Sequence, residues 1–245
     1  IKDIVAAQVR LLEKLDIHRL YAVAGGSMGG MQALQFAVTY PNMVDRIIAC
    51  ATSSRWSPHG IAMNAIARRA IMADPNWNGG GYYGKDFPLT GMKIARMIAE
   101  TTFFTWEGWE DSLDKRHQIE RTIGFGTEKP FTVERFLEKQ VAGFAEKFDP
   151  NSYIYLSRAL DQFDIMNGYP SLVSALSRCR AKFLLVSNST DGLCPTSQVE
   201  EIASALKRNG SDYVHFKVDS DGGHDSFLTE PLELSAQIYK ILEYT

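Results

Sequence analysis

Three residues stand out for the chemistry their surroundings allow. Ser27 lies in Gly25-Gly26-Ser27-Met28-Gly29-Gly30, Asp191 in Thr190-Asp191-Gly192-Leu193-Cys194-Pro195, and His224 in Gly222-Gly223-His224-Asp225. A serine hydroxyl is a poor nucleophile at neutral pH. It needs a base within hydrogen-bond reach and a further group that orients the base. The G-x-S-x-G string offers the turn that exposes such a serine, because glycines on either side let the backbone reverse without clashing Cβ atoms. A helix starting behind the serine would bring free N–H groups and a positive dipole end, so the Met28 N–H is a candidate oxyanion-hole donor. The string alone is common, and its bland reading is a glycine-rich turn. A strand before it and a helix after it would decide for chemistry.

The flanking elements meet that condition. Arg19–Ala24 is a short apolar run that reads as a buried strand, and it follows an amphipathic helix near residues 3–15. Met31, Leu34, Gln35 and Val38 mark a helix ending before Pro41, and Arg46–Thr52 reads as a second buried strand. Strand, turn, helix and strand in that order make a parallel sheet. From Ser57 the rhythm changes. Helical stretches at Ile61–Met72, Gly91–Glu100, Thr132–Phe144 and Tyr153–Phe163 are separated by the loops Asp74–Gly84 and Gly124–Pro130. Strand alternation resumes at Ala181–Ser187, then a helix at Ser197–Arg208, a strand at Tyr213–Val218 and a helix at Glu230–Leu242. The expected architecture is an α/β-hydrolase fold: a mostly parallel sheet with helices on both faces. Residues 1–56 and 179–245 form its core, and 57–178 form a helical cap. In that fold the acid and then the histidine follow the serine in chain order, at the carboxyl ends of strands. Asp191 and His224 satisfy that order. His18 and His215 read as packing or surface groups, and His59 and His117 lie in the cap without an acid and strand in the right order. Asp219 and Asp221 are rivals to Asp191 but lie too near His224 in sequence to come from a separate strand end.

Composition narrows the function classes. The 245 residues are 45% apolar and 22% charged with a formal net charge of −3, which leaves no basic stripe for nucleic acid. No apolar run reaches the ~20 residues of a membrane span. The three cysteines, Cys50, Cys179 and Cys194, are scattered and lack CxxC spacing. That argues against a disulfide framework or a zinc site and fits a reducing, cytoplasmic setting. Residues 25–30 match neither phosphate-binding glycine motif, and no His/Cys cluster suggests a metal. The chain opens at Ile1 almost directly before the serine turn, whereas an α/β sheet normally has several strands before that point. The expectation is that an N-terminal segment on the order of 100 residues accompanies it.

Longer stretches carry a resemblance. Gly25–Ala37 (GGSMGGMQALQFA), Ile71–Gly80 (IMADPNWNGG), Ala95-Arg96-Met97-Ile98, Tyr155–Asp164 (YLSRALDQFD), Thr190–Pro195 and Gly223–Leu228 (GHDSFL) resemble homoserine O-acetyltransferases, in order and along the whole chain. The resemblance implies an α/β-hydrolase-like enzyme with a helical cap, usually dimeric through that cap, with no permanently bound cofactor. It implies a ping-pong reaction in which Ser27 takes the acetyl group of acetyl-CoA and passes it to the hydroxyl of L-homoserine. Arg96 matches the family arginine that pairs with the substrate carboxylate, and Asp225 matches the aspartate that holds the substrate ammonium. The family tyrosine seven residues after the arginine is Phe103 here, which removes one hydroxyl partner. The family's second oxyanion donor comes from a loop before the first helix of the fold, which these residues do not supply. The same acyl-enzyme with another acceptor or donor (serine, another hydroxylated amino acid, succinyl-CoA), an esterase using water, and a non-enzymatic binding relative are the alternatives.

Overall fold

The computed structural model describes residues 1–113, 131–229 and 231–243; the loop expected at Gly124–Pro130, His117 and Glu230 lie outside them. The chain divides into two compact units, Ile1–Ser57 with Gln162–Thr245, and Pro58–Asp161.

The first unit is built on four parallel strands in the order β1 (Val23–Gly26), β2 (Arg46–Cys50), β3 (Lys182–Asn188) and β4 (Tyr213–Val218). Apolar runs without alternation mark strands buried on both faces, and β2 is buried at all five positions. Ile48, Cys50, Leu184, Val186 and Val218 turn to one face and pack on Leu234 and Ile241 of the helix Pro231–Glu243. The alternate residues Ile47, Ala49, Phe183 and Leu185 are fully buried on the other face. There α2 (Met28–Thr39) lies against β1 and β2, and α9 (Thr196–Arg208) against β3 and β4. Each such Ile, Leu or Phe contributes about 1.5–3 kcal/mol by leaving water. Arg46, buried at the start of β2, is stabilised by donating Nε–H to the Ile241 carbonyl at 2.8 Å and by lying 4.0 Å over the Tyr21 ring. The amphipathic α1 (Lys2–Lys14) covers α2.

The strand ends differ from the sequence expectation in an informative way. Leu20 touches Val44 only through an isolated bridge, and the ladder of β1 begins at Val23 and continues through Gly25 and Gly26, which pair with Ala49 and Cys50. Side-chain pattern cannot reveal a strand made of glycine backbone. At their carboxyl ends β1 and β2 stop level with Val186, where Gly26 pairs with Cys50 and Cys50 with Val186, and β3 and β4 run two residues further to the pair Asn188 and Val218. The first unit also holds residues 162–178, with the short helix α8 (Leu172–Leu176) capped by the Ser171 side chain.

The second unit is helical: α3 (Pro58–Ala73), a 3₁₀ turn at Pro75–Gly80, α4 (Leu89–Phe103), α5 (Trp106–Leu113), α6 (Thr132–Ala145) and α7 (Pro150–Asp161). Its core joins Ala67, Ile71, Met92, Ala95 and Ala145. Helices α3 and α4 approach backbone to backbone at Gly91, where a Cβ would sit 2.6 Å from the Ala70 carbonyl oxygen. Asp74 ties the 3₁₀ turn to α4, accepting from the Asn76 N–H at 3.0 Å and the Gly91 N–H at 2.8 Å. A polar seam runs inside the unit: Arg68 pairs with Asp161 at 2.6 Å and donates to the Ser157 hydroxyl at 3.1 Å. No helix of the described residues is long and apolar enough to cross a membrane.

Candidate active site

Ser27 occupies the residue between β1 and α2, with φ 54° and ψ −119°. A non-glycine residue there costs roughly 1–3 kcal/mol, and such strain persists only where the surroundings impose it. Three hydrogen bonds do so. The Ser27 N–H donates to the Cys50 carbonyl at 2.8 Å, while its carbonyl accepts from the Met31 N–H at 3.1 Å and the Thr52 hydroxyl at 2.9 Å. The two motif glycines do different jobs. A Cβ on Gly25 would lie 2.3 Å from the Gly29 backbone, whereas a Cβ on Gly29 would meet nothing within 4 Å. Gly25 is the residue the close approach requires. Met28 is the first residue of α2, so its N–H precedes the first intrahelical partner and joins the positive end of the helix.

Asp191 and His224 leave the neighbouring strand ends. Asp191 follows β3 by three residues, and its Oδ1 accepts from the Leu193 N–H at 2.9 Å and the Cys194 N–H at 2.8 Å. Its Oδ2 faces His224 Nδ1 at 2.9 Å, and His224 Nε2 lies 2.9 Å from Ser27 Oγ. Both side chains are buried, at 0% and 3% exposure, so water does not compete for these contacts. The unbroken line Asp–His–Ser gives the imidazole a fixed tautomer, Nδ1–H toward the carboxylate, with Nε2 left to take the serine proton.

The two loops are stitched together by residues that sequence reasoning did not single out. Asn188 donates to the Gly223 carbonyl at 2.6 Å, and the Thr190 hydroxyl donates to the Ser220 carbonyl at 2.5 Å. Asp219, a rival for the acid, instead accepts from the Ser189 hydroxyl at 2.9 Å. Among the other histidines, His18 pairs with Asp16 at the surface, His59 is exposed, and His215 on β4 meets the Ser187 hydroxyl of β3. Cys194 lies with Asp191 and His224 so that one ligand atom of each falls within 4.8 Å of the others. Burial and then the Asp191 charge push its thiol well up, so it is a protonated thiol rather than a thiolate ligand. His224 Nδ1 is engaged by Asp191. The donor set suits an acid–base pair rather than a metal.

Asp225 is half-buried beside His224 in the 3₁₀ turn Gly223–Asp225. Arg96 and Phe103 belong to the second unit, on α4, which runs three residues past the expected end at Glu100. Arg96 is not a solvated helix charge. Its Nε lies 2.8 Å from Glu100 Oε1, in an ion pair that falls short of a well-aligned hydrogen bond. Its guanidinium carbon lies 4.4 Å from the Phe144 ring centre and 5.2 Å from that of Phe103. Glu100 is buried at 7% exposure, a placement that helical periodicity alone did not signal.

Comparison with known proteins places this geometry. The model of the α/β-hydrolase fold family matches residues 1–231. A homoserine O-acetyltransferase of Methanohalobium evestigatum is 42% identical over all 245 residues, which correspond to 50% of its own length. Homoserine O-acetyltransferase from Bacillus anthracis superposes with a TM-score of 0.93 at 28% identity, covering 100% of this chain and 65% of that one. Esterase E22 superposes with a TM-score of 0.87 at 26% identity, covering 98% of this chain and 65% of that one. The chain spans about half the length of these curated relatives. Sheet, serine turn, chain order and likeness along the whole sequence agree: this chain belongs to the homoserine O-acetyltransferase family of the α/β-hydrolase fold.

Proposed function

We propose that this chain carries the acyl-transfer chemistry of a homoserine O-acetyltransferase, moving an acetyl group from acetyl-CoA to L-homoserine through an acetyl-serine. Ser27 Oγ attacks the thioester carbonyl while His224 Nε2 takes its proton and Asp191 stabilises the imidazolium. The Met28 N–H donates to the tetrahedral oxyanion. CoA leaves as the thiol with the proton from His224. The homoserine hydroxyl then gives its proton to His224 as it attacks acetyl-Ser27, and O-acetyl-L-homoserine departs with Ser27 Oγ reprotonated. Arg96 receives the acceptor carboxylate, Asp225 its ammonium, and Phe103 lines the acceptor site. The unit Pro58–Asp161 serves as the cap and as the contact between two copies in a homodimer. The second oxyanion donor comes from the part of the protein that the longer relatives have and these residues do not. Buried, unpaired Cys50, Cys179 and Cys194 support a reducing compartment, the cytoplasm.

The observation that most directly supports acyl-enzyme chemistry is the Asp191–His224–Ser27 line, with both hydrogen-bond steps at 2.9 Å. A second reading, an esterase in which water resolves the acetyl-serine, is favoured by the likeness to esterase E22 and by a phenyl ring at 103 in place of a phenol. One assay separates them: thiol release from acetyl-CoA with and without L-homoserine. Release that requires homoserine supports the transferase, and release indifferent to it supports the esterase. Ser27→Ala abolishes both release and the acetylated-protein mass; retained turnover would overturn the nucleophile assignment.

A further inference from the structure

Helix α4 carries Arg96, Glu100 and Phe103 on one stripe, at i, i+4 and i+7. Glu100 is 7% exposed, and a carboxylate is held at such a depth only by a charged or hydrogen-bonding partner. That partner is Arg96, whose Nε lies 2.8 Å from Glu100 Oε1. Arg68, a second arginine whose charge reaches Tyr153 in this unit, is matched by its own acid, Asp161. The Arg96 guanidinium is thus bounded on its face by the Phe144 ring at 4.4 Å, with the Phe103 ring at 5.2 Å, and on its Nε side by Glu100. The nearest carboxylate contact is at Nε, which leaves the terminal Nη1/Nη2 fork as the edge that binds a carboxylate through two parallel N–H donors.

We infer that Glu100, with Phe144, is a positioning residue that fixes the plane of the Arg96 guanidinium so that its terminal fork meets the carboxylate of an α-amino-acid acceptor. The inference rests on the acceptor role proposed above for Arg96. Glu100 touches no reacting atom; it acts through Arg96. An arginine side chain has four rotatable bonds before its planar group, and holding that plane in advance lowers the ordering cost of each binding event.

The test uses Glu100→Met, which keeps the volume without an acceptor, Glu100→Gln, which keeps an acceptor without a charge, and Phe144→Leu, which removes the stacked face. For each protein the rate of acetyl-enzyme formation, the KM and kcat for L-homoserine and the thermal midpoint are measured. Glu100→Met raises the homoserine KM by about tenfold or more while acetyl-enzyme formation changes by less than about twofold. Glu100→Gln restores most of the loss, and Phe144→Leu shows the same split on a smaller scale. If Glu100→Met does not fold, the Phe144→Leu split carries the test. An unchanged KM in Glu100→Met, equal losses in both half-reactions, or a KM in Glu100→Gln below that of the parent would each overturn the inference. A parent enzyme whose thiol release ignores homoserine would instead overturn the proposed function, and this inference with it.

Discussion

Asp191→Asn isolates the orienting role of the acid, because the structure dictates which way the new amide must face. Asp191 Oδ1 accepts two backbone N–H groups, from Leu193 and Cys194, and Oδ2 faces His224 Nδ1. Placing the amide nitrogen on the Oδ1 side would set it against two buried donors, each left unsatisfied at about 1–3 kcal/mol. Placing it on the Oδ2 side costs only a change of histidine tautomer. The nitrogen therefore points at His224 Nδ1, which must become an acceptor, and the ring proton moves to Nε2. An Nε2–H aimed at Ser27 Oγ cannot take the serine proton. The expected loss is about 10⁴-fold in each half-reaction, or about 5 kcal/mol of barrier, with little change in the fold. Single-turnover acetyl-enzyme formation, followed by intact mass and thiol release, measures it alongside the thermal midpoint. Asp191→Ala serves as the contrast, since it strands both backbone donors and lowers the midpoint as well. An Asp191→Asn protein with a parental midpoint and rates within about tenfold of the parent would show that Asp191 does not set the tautomer.

Two further outcomes concern the fold that holds the site. Gly25→Ala drives a Cβ to 2.3 Å from the Gly29 backbone and lowers stability by about 1–3 kcal/mol, whereas Gly29→Ala, on the first turn of α2 with open space beside it, is neutral or slightly stabilising; equal thermal midpoints for the two would refute the packing account. Burial pushes the thiols of Cys50 and Cys179 up from 9.0 to about 12. Above pH 9 the unfolded chain releases these protons and the folded chain keeps them, so stability is level below that pH and falls as pH rises toward 12, by about 1.4 kcal/mol per pH unit for each thiol. Urea midpoints from pH 8 to 11 should show that slope, and a Cys50→Ala, Cys179→Ala double variant should flatten it; identical slopes would mean the thiols ionise freely within the fold.

The residues differ in how readable they were. Ser27, Asp191 and His224 were legible because glycine spacing and chain order are properties of the sequence itself. Thr52 was not, since a threonine just past a buried strand has no pattern that distinguishes it, and its role is set by the carbonyl it meets across the sheet. Asn188 and Thr190 act by joining two loops about thirty residues apart, a relation that arises only when β3 and β4 pair. Glu100 reads in sequence as a charge on a helix, and only the packing of the helical unit buries it. The helix α5 and the short α8 were missed, while β1 was placed too early because its last two residues are glycines.

The strain at Ser27 is shared with the neighbouring strand. Ala51, directly after β2, also holds a positive φ of 46°, and its N–H donates to the Val186 carbonyl at 2.8 Å. It sits between Cys50, which accepts from the Ser27 N–H, and Thr52, which donates to the Ser27 carbonyl. The left-handed turn at Ala51 is thus flanked by both of the β2-end partners that hold the serine. Three hydrogen bonds, two from backbone N–H groups and one from the Thr52 hydroxyl, at about 0.5–1.5 kcal/mol each are of the size needed to offset a strained serine at about 1–3 kcal/mol. Since β2 is anchored on both faces of the sheet, the serine cannot relax without breaking that ladder. The nucleophile is therefore held in its exposed conformation before any substrate arrives, and the ordering cost lies in folding rather than in the reaction.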